Sequence, residues 1–349
     1  MAATRDLLKT VEGKIAGRPW AKALAAELIA EADKWAARPI NPPTTGGGWY
    51  HNYVCPKDAG FLEFREDSPR KHWCPRCKKF YEGDKLDASW VNRRHMDFAQ
   101  AAQVCAVAFR VGGKPQHADW ARRVLRWYAD RYETFPVHGE WAGRGRVMGQ
   151  SLDEAMWLIP MATAFDLVAK TVGDADQQAI IGKLILPAGK HIEGYSGGIH
   201  NIQCWHATAR LMAGLVGSDV TMRDRAVADL RDNIDKGITQ DGFWFEGSIT
   251  YHSFTLMALT PALVVAKHNG IDLGRPDKLL AMYTVPAKLV LPSGVLPALN
   301  DGGGANLSSM AWLLETGCYL FDSEPLRRQL ASIHAGRERT QASMSYKIA

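Results

Sequence analysis

The chain has 349 residues, 46% hydrophobic and 23% charged, the balance of a globular protein with a sizeable core, which excludes disordered and collagen-like readings. Lys and Arg exceed Asp and Glu by 42 to 37; this surplus of +5 is too small and dispersed for a nucleic-acid binder, though it suits an acidic ligand. No apolar run approaches the roughly 20 residues of a membrane span, and the first twenty residues, interrupted by Arg5, Lys9, Glu12, Lys14 and Arg18, lack the apolar centre of a signal peptide.

Residues 1–38 read as helical, with Leu7, Leu8, Val11, Ile15, Trp20, Leu24, Leu28 and Ile29 recurring at helical spacing. The stretch NPPTTGGG at 41–48 ends that pattern, so residues 1–48 form an N-terminal helical segment and linker. Residues 49–88 follow as a small insertion. It carries Cys55 with Asp58 three positions on, then Cys74 and Cys77 with Phe80 and Tyr81 behind them, the knuckle spacing of a zinc ribbon. A fourth thiolate would stand at position 58. Asp58, His51 or His72 could complete the tetrahedron, because zinc also accepts oxygen and nitrogen. A structural zinc at Cys55, Asp58, Cys74 and Cys77 and a ribbon held by hydrophobic contacts alone are the two readings. The six cysteines are otherwise too scattered for a disulfide framework.

Helical periodicity then returns over 89–111, 115–132, 151–170, 174–191, 201–217, 221–238, 249–268 and 276–290. No comparable run of alternating strands occurs, so residues 89–349 are expected to be all-α, and the tail after Cys318 also reads as helical. Short Gly- and Asp-containing turns join consecutive helices, and no period of about 34 or 40 residues repeats, which disfavours solenoid arrays. The predicted fold is an incomplete (α/α) toroid of paired helices, with long loops at 135–150, 193–204, 239–248 and 291–306 gathered at one end.

Those loops hold the residues that could carry chemistry. GIHNIQCWH at 198–206 opens one helix and brings His200, Asn201, Gln203, Trp205 and His206; QDGFWFEGSITYH at 240–252 opens another and brings Trp244, Glu246, Tyr251 and His252. Helix N-termini attract anions, so both openings are natural carboxylate sites. Taken singly, Asn201 and Ser248 could be caps, Glu246 a loop brace and each His or Tyr a satisfied structural residue. Their density in two short junctions favours a site. A third segment, WAGRGRVMGQSLDEAMW at 141–157, adds Arg144, Arg146 and Gln150. Its arginines suit bidentate binding of carboxylate or sulfate, or else pair with Asp153 and Glu154 in a solvated loop. No dinucleotide fingerprint, P-loop, G-x-S-x-G elbow or H-E-x-x-H occurs, and no organic cofactor is expected. Twelve tryptophans offer platforms for sugar faces, although core packing accounts for most of them.

These segments together resemble the heparinase II/III-like polysaccharide lyases, which include alginate and glycosaminoglycan lyases. The resemblance runs from residues 49–90 through 145–157, 201–206 and 241–252 to LPALND at 296–301, which contains Asn300. It implies an α/α toroid, an acidic polysaccharide or oligosaccharide as substrate, a periplasmic or secreted setting, and no nucleic-acid or membrane partner; oligomeric state stays unknown. It implies that Tyr251 is the catalytic tyrosine and that Asn201 neutralises the substrate carboxylate. Many relatives place His after that Asn; this chain has Ile202, so the histidine base is either replaced by His200 or His206 or absent, and Tyr251 could serve as base as well as acid if a nearby cation lowers its pKa. Arg144, Arg146, Gln150, Gln203, Trp205, Trp244, Glu246, His252 and Asn300 are the implied substrate-binding set. Relatives continue into a C-terminal β-sandwich that contributes a further His, and the sequence to Ala349 leads us to expect that domain to be absent. β-Elimination at a uronate is thus the leading reading. An α/α-toroid glycoside hydrolase, with Asp241 and Glu246 or Asp301 as its acids, and a non-catalytic carbohydrate-binding protein are the alternatives.

Overall fold

A computed structural model describes residues 5–139 and 143–335. Trp141 and the end of the tail, 336–349, lie outside the described residues. The N-terminal helical stretch divides into α1 (Arg5–Gly17) and α2 (Pro19–Ala36). Pro19 explains the division, since it lacks the N–H that a continuous helix needs and starts a new one instead.

The remaining helices are α3 (Asp84–Arg110), α4 (Pro115–Ala129), α5 (Ser151–Val168), α6 (Asp174–Ile180), α7 (Leu186–Glu193), α8 (Asn201–Gly217), α9 (Val220–Gly237), α10 (Ile249–His268), α11 (Pro276–Leu289), α12 (Ala311–Phe321) and α13 (Glu324–His334). A π turn at Ile181–Ile185 links α6 to α7. The strands are confined to two small hairpins, β1 (His72–Cys74) with β2 (Lys79–Tyr81) and β3 (Val295–Leu296) with β4 (Ala305–Asn306).

Two helical layers result. In the inner layer α3 packs on α5, α5 on α8, α8 on α10 and α10 on α12; α4, α7, α9, α11 and α13 lie outside them. Burial follows the layering. α5, α8 and α10 are enclosed on nearly every face, whereas α4 and α9 bury one apolar stripe and show charged residues to solvent. α10 is long and apolar enough to cross a membrane by length and composition, a stretch the sequence reading overlooked; here most of it is buried among neighbouring helices.

Leu28 and Ala32 of α2 share one core with α3, α5 and α8, so the N-terminal segment packs into the body of the toroid. Residues 49–90 have their own small cluster of Tyr53, Cys55, Leu62, Cys74, Leu86 and Trp90.

The connections are unequal, and this sets the site. Most turns from inner to outer helix are short, as at 111–114, 218–219 and 322–323, whereas most returns from outer to inner are long, as at 37–83, 130–150, 238–248 and 290–310. Every inner helix therefore begins at the same end. Five N-termini, whose first N–H groups have no partner within their own helix, face one set of loops. These loops touch closely, and a Cβ on Gly149 would fall on the Gly48 backbone, as one on Gly47 would on Asn92.

Candidate active site

At the loop end the starts of α8 and α10 are joined through Glu246. Its carboxylate accepts the backbone N–H of Asn201 at 3.0 Å and the Asn201 amide at 2.8 and 3.1 Å. Asn201 is the first residue of α8, so a carboxylate stands where the helix dipole favours one. The turn that carries Glu246 is held from its other side. Asn300 donates to the Gly247 carbonyl at 3.0 Å, and a side chain at Gly247, whose φ is 73°, would meet that amide.

His200 and Tyr251 flank this pair with opposite tendencies. His200, the N-cap of α8, is partly buried; burial lowers its pKa, while the nearby Glu246 carboxylate acts the other way. Its imidazole is held toward the neutral, proton-accepting form. Tyr251 lies in the first turn of α10, its N–H bonded to the Ser248 hydroxyl at 3.4 Å. Burial, then the Asp301 carboxylate beside its hydroxyl, then Glu246 hold its pKa above the usual phenol value. Tyr251 is thereby kept protonated, and among the described residues no cation lowers it toward a base. One carboxylate, Glu246, acts on both groups.

The other sequence candidates divide between the cleft and its support. Gln203 is buried and fully engaged, accepting the Gly197 N–H at 2.6 Å and donating to the Tyr195 carbonyl and the His206 ring at 3.3 Å. It shapes the 195–197 turn. His206 is buried behind it, its pKa pushed down to about 3 by burial, so it stands under the site rather than in it. His252 accepts the Trp244 N–H at 3.2 Å and donates to the Met282 carbonyl at 3.0 Å; burial pushes it down to about 4. Trp244 is 0% exposed and Trp205 is 5%, with Phe254 packed on its ring, so both indoles are core and neither offers a sugar platform. These placements correct the expectation of direct ligand contact for Gln203, Trp205, Trp244, His206 and His252. Four of them lie on buried positions of α8 or α10 and Trp244 in the turn before α10, a distinction that residue type and spacing do not carry.

The two arginines also separate. Arg146 donates to the Phe135 carbonyl at 2.9 Å, and the backbone N–H groups of Arg146 and Met148 are taken by buried Glu154 at 3.2 and 2.8 Å. Arg146 is thus a loop brace. Arg144 is exposed, its carbonyl taken by His191 at 2.8 Å, and it sits in a loop whose Gly143 approaches Tyr195. It is the arginine of the pair that is left to meet an anion. Gln150 caps the start of α5 and is partly exposed.

The sequence reading passed over a cavity of about 320 Å³ against the arginine loop, lined by Gly46, Trp49, Asn52, Lys85, His138 and Gly149 among others. It combines an indole, a cation and hydrogen-bonding groups. The GGG run ahead of Trp49 was its only trace in sequence, and that run had served only as a helix breaker.

At the loop end of an α/α toroid, the starts of two inner helices thus bring His200, Asn201, Glu246 and Tyr251 together. Residues 28–281 match the family model described as Alginate lyase, and the chain belongs to that family. An alginate lyase of Stenotrophomonas maltophilia is 26% identical over 201 residues, covering 54% of this chain and 26% of the relative. An exo-oligoalginate lyase of Saccharophagus degradans is 26% identical over 211 residues, 56% of this chain and 27% of the relative. The matched stretch thus spans about a quarter of each curated relative. The crystal structure of an alginate lyase from Bacteroides ovatus superposes with a TM-score of 0.64 at 16% identity, covering 100% of this chain and 99% of the other, which shows the shared fold.

Proposed function

We propose that this chain is a polysaccharide lyase that cleaves a uronate polymer or oligomer of the alginate class by β-elimination. The observation that carries the reading is the meeting of His200, Asn201 and Tyr251 around Glu246 at two adjoining helix starts; family membership supports the substrate class. The C5 proton of a uronate becomes removable when its carboxylate is neutralised. The Asn201 amide, held in place by Glu246, and the Arg144 guanidinium supply that neutralisation. His200 takes the C5 proton, the C5–H electron pair forms the C4–C5 double bond, and the C4–O4 bond breaks. Tyr251 gives its proton to the departing O4. Proton transfer and charge neutralisation suffice, so the reading calls for no organic cofactor. A periplasmic or secreted setting belongs with it, because such polymers are met outside the cytoplasm.

A hydrolase would need a carboxylic acid kept protonated across the cleft. Instead, Asp241 is held below the usual carboxylate range by Thr239 and the Phe243 N–H, Glu246 is engaged by Asn201, and Asp301 stands against the Tyr251 hydroxyl.

The test is near-ultraviolet absorbance during incubation with alginate, heparan sulfate and hyaluronan. Alginate is expected to give the rise of an unsaturated uronate. Tyr251→Phe and His200→Ala should each lower kcat by about 10²- to 10⁴-fold. New reducing ends without that absorbance would replace the lyase reading with hydrolysis.

A further inference from the structure

The insertion between α2 and α3 carries a cluster that the elimination chemistry does not use. One ligand atom each from Cys55, Asp58, Cys74 and Cys77 lies within 4.8 Å of all the others. The cysteines are free thiols, and the Cys55 and Cys77 sulfurs stand 3.7 Å apart. Tetrahedral zinc with its usual bond lengths sets sulfur–sulfur edges of about 3.8 Å and sulfur–oxygen edges of about 3.5 Å. The second edge is present too, with the Cys74 sulfur 3.4 Å from Asp58 Oδ2.

The backbone repeats the same device twice. Asp58 is followed by Ala59 at φ 53° and Cys77 by Lys78 at φ 56°, both left-handed and neither glycine. In each turn an N–H returns to the carbonyl of the leading cysteine, from Ala59 to Cys55 at 2.9 Å and from Lys78 to Cys74 at 3.0 Å. Asp58 therefore occupies in the first knuckle the place that Cys77 occupies in the second. The two histidines considered from sequence are engaged elsewhere. His72 is held between the Tyr53 hydroxyl at 2.9 Å and Asp87 at 2.8 Å, while the His51 ring packs at a tilt against Trp49.

We propose that residues 49–90 hold one zinc ion in a closed, tetrahedral site of three thiolates and the Asp58 carboxylate. Closure by four protein ligands makes it structural. Binding releases three thiol protons to solvent and forms three zinc–sulfur bonds and one zinc–oxygen bond, leaving a site of charge −2. Lys57, Arg76, Lys78 and Lys79 surround it in sequence, and Arg76 donates to the Asp58 carbonyl at 3.5 Å. The lobe is small, with few buried apolar residues of its own, which is the circumstance in which a metal supplies folding stability. Trp49 and Asn52 at its edge line the 320 Å³ cavity, so the ion would also fix one wall of that space.

The experiment is metal analysis of the full chain purified without chelator, followed by cobalt(II) addition to metal-stripped protein. About one zinc per chain is expected, together with thiolate-to-cobalt charge-transfer bands and the intense visible bands of tetrahedral cobalt. Asp58→Cys should keep the metal and raise the charge-transfer intensity by about a third, as four thiolates replace three. Cys74→Ser should hold less than about a tenth of an equivalent. Wild-type protein with less than about a tenth of an equivalent and no cobalt spectrum would overturn the proposal, as would an octahedral spectrum. Neither result depends on whether the chain is a lyase.

Discussion

Glu246 matters more than its position in the sequence suggests, because it holds Asn201 and acts on both proton-transfer groups. Its charge raises the pKa of His200 and of Tyr251, so Glu246→Gln should move both limbs of the pH–rate profile toward acid. Histidine NMR titration of the variant provides a check independent of turnover, and an unchanged His200 pKa would refute the coupling. Glu246→Ala leaves the Asn201 N–H and amide without their acceptor, a cost of about 1–3 kcal/mol that a denaturant midpoint would register. The sequence could show that Asn201, Glu246 and Tyr251 were polar groups at helix starts. It could not show that Glu246 closes across to the neighbouring helix, because a contact over 45 residues depends on how the two loops dock. The same limit hid the burial of Trp244 and His252. An indole that packs a core and one that stacks on sugar have the same letter.

Among the helices, legibility was high where periodicity was long. α5, α8 and α10 begin at 151, 201 and 249, where apolar recurrence and turn residues had placed them. Ser248 is an N-cap, as one reading of it allowed, and its hydroxyl accepts from Tyr251; Asn201 is not, since the cap falls on His200. Ser248→Ala should therefore cost about 1 kcal/mol in thermal or denaturant unfolding and also disturb the phenol that its helix turn positions. Asp219→Ala, which removes the cap of α9 remote from the loop end, should cost a similar amount while leaving kcat unchanged. Equal kcat losses in the two variants would deny Ser248 any positioning role. The hairpins were less legible, because two or three residues per strand give periodicity little to act on. Only cysteine spacing marked β1 and β2. If zinc holds that lobe, chelation should speed hydrogen exchange in β1 and β2 and leave α5 and α8 protected.

At the scale of the whole molecule, the alternation of long and short connections puts five helix N-termini at one end, so a modest net charge of +5 is compatible with a focused preference for anions there. The same enclosure makes the fold sensitive to acid. His95, between the Tyr128 hydroxyl and the Thr45 carbonyl, is pushed down to about 4 by burial, as is His252, and His206 to about 3. Unfolded, each would titrate near 6.5, so below that pH the unfolded chain binds protons that the folded chain refuses. Their stabilising contribution is complete above pH 6.5 and is lost as pH falls toward 4. Asp153 runs the other way. Burial, opposed by the Asn92 amide at 3.0 Å, raises it to about 6, so between its unfolded value near 3.8 and pH 6 the folded state holds the extra proton. At pH 5 three histidines against one carboxyl leave unfolding to take up about two protons net, a slope of about 2–3 kcal/mol per pH unit from these four groups. Urea midpoints from pH 7 to 5 should fall accordingly, and Asp153→Asn should steepen the fall by removing the opposing group. A flat midpoint across that range would mean that the three imidazoles accept protons in place, and that the polar groups under the cleft are not the dry support their hydrogen bonds describe.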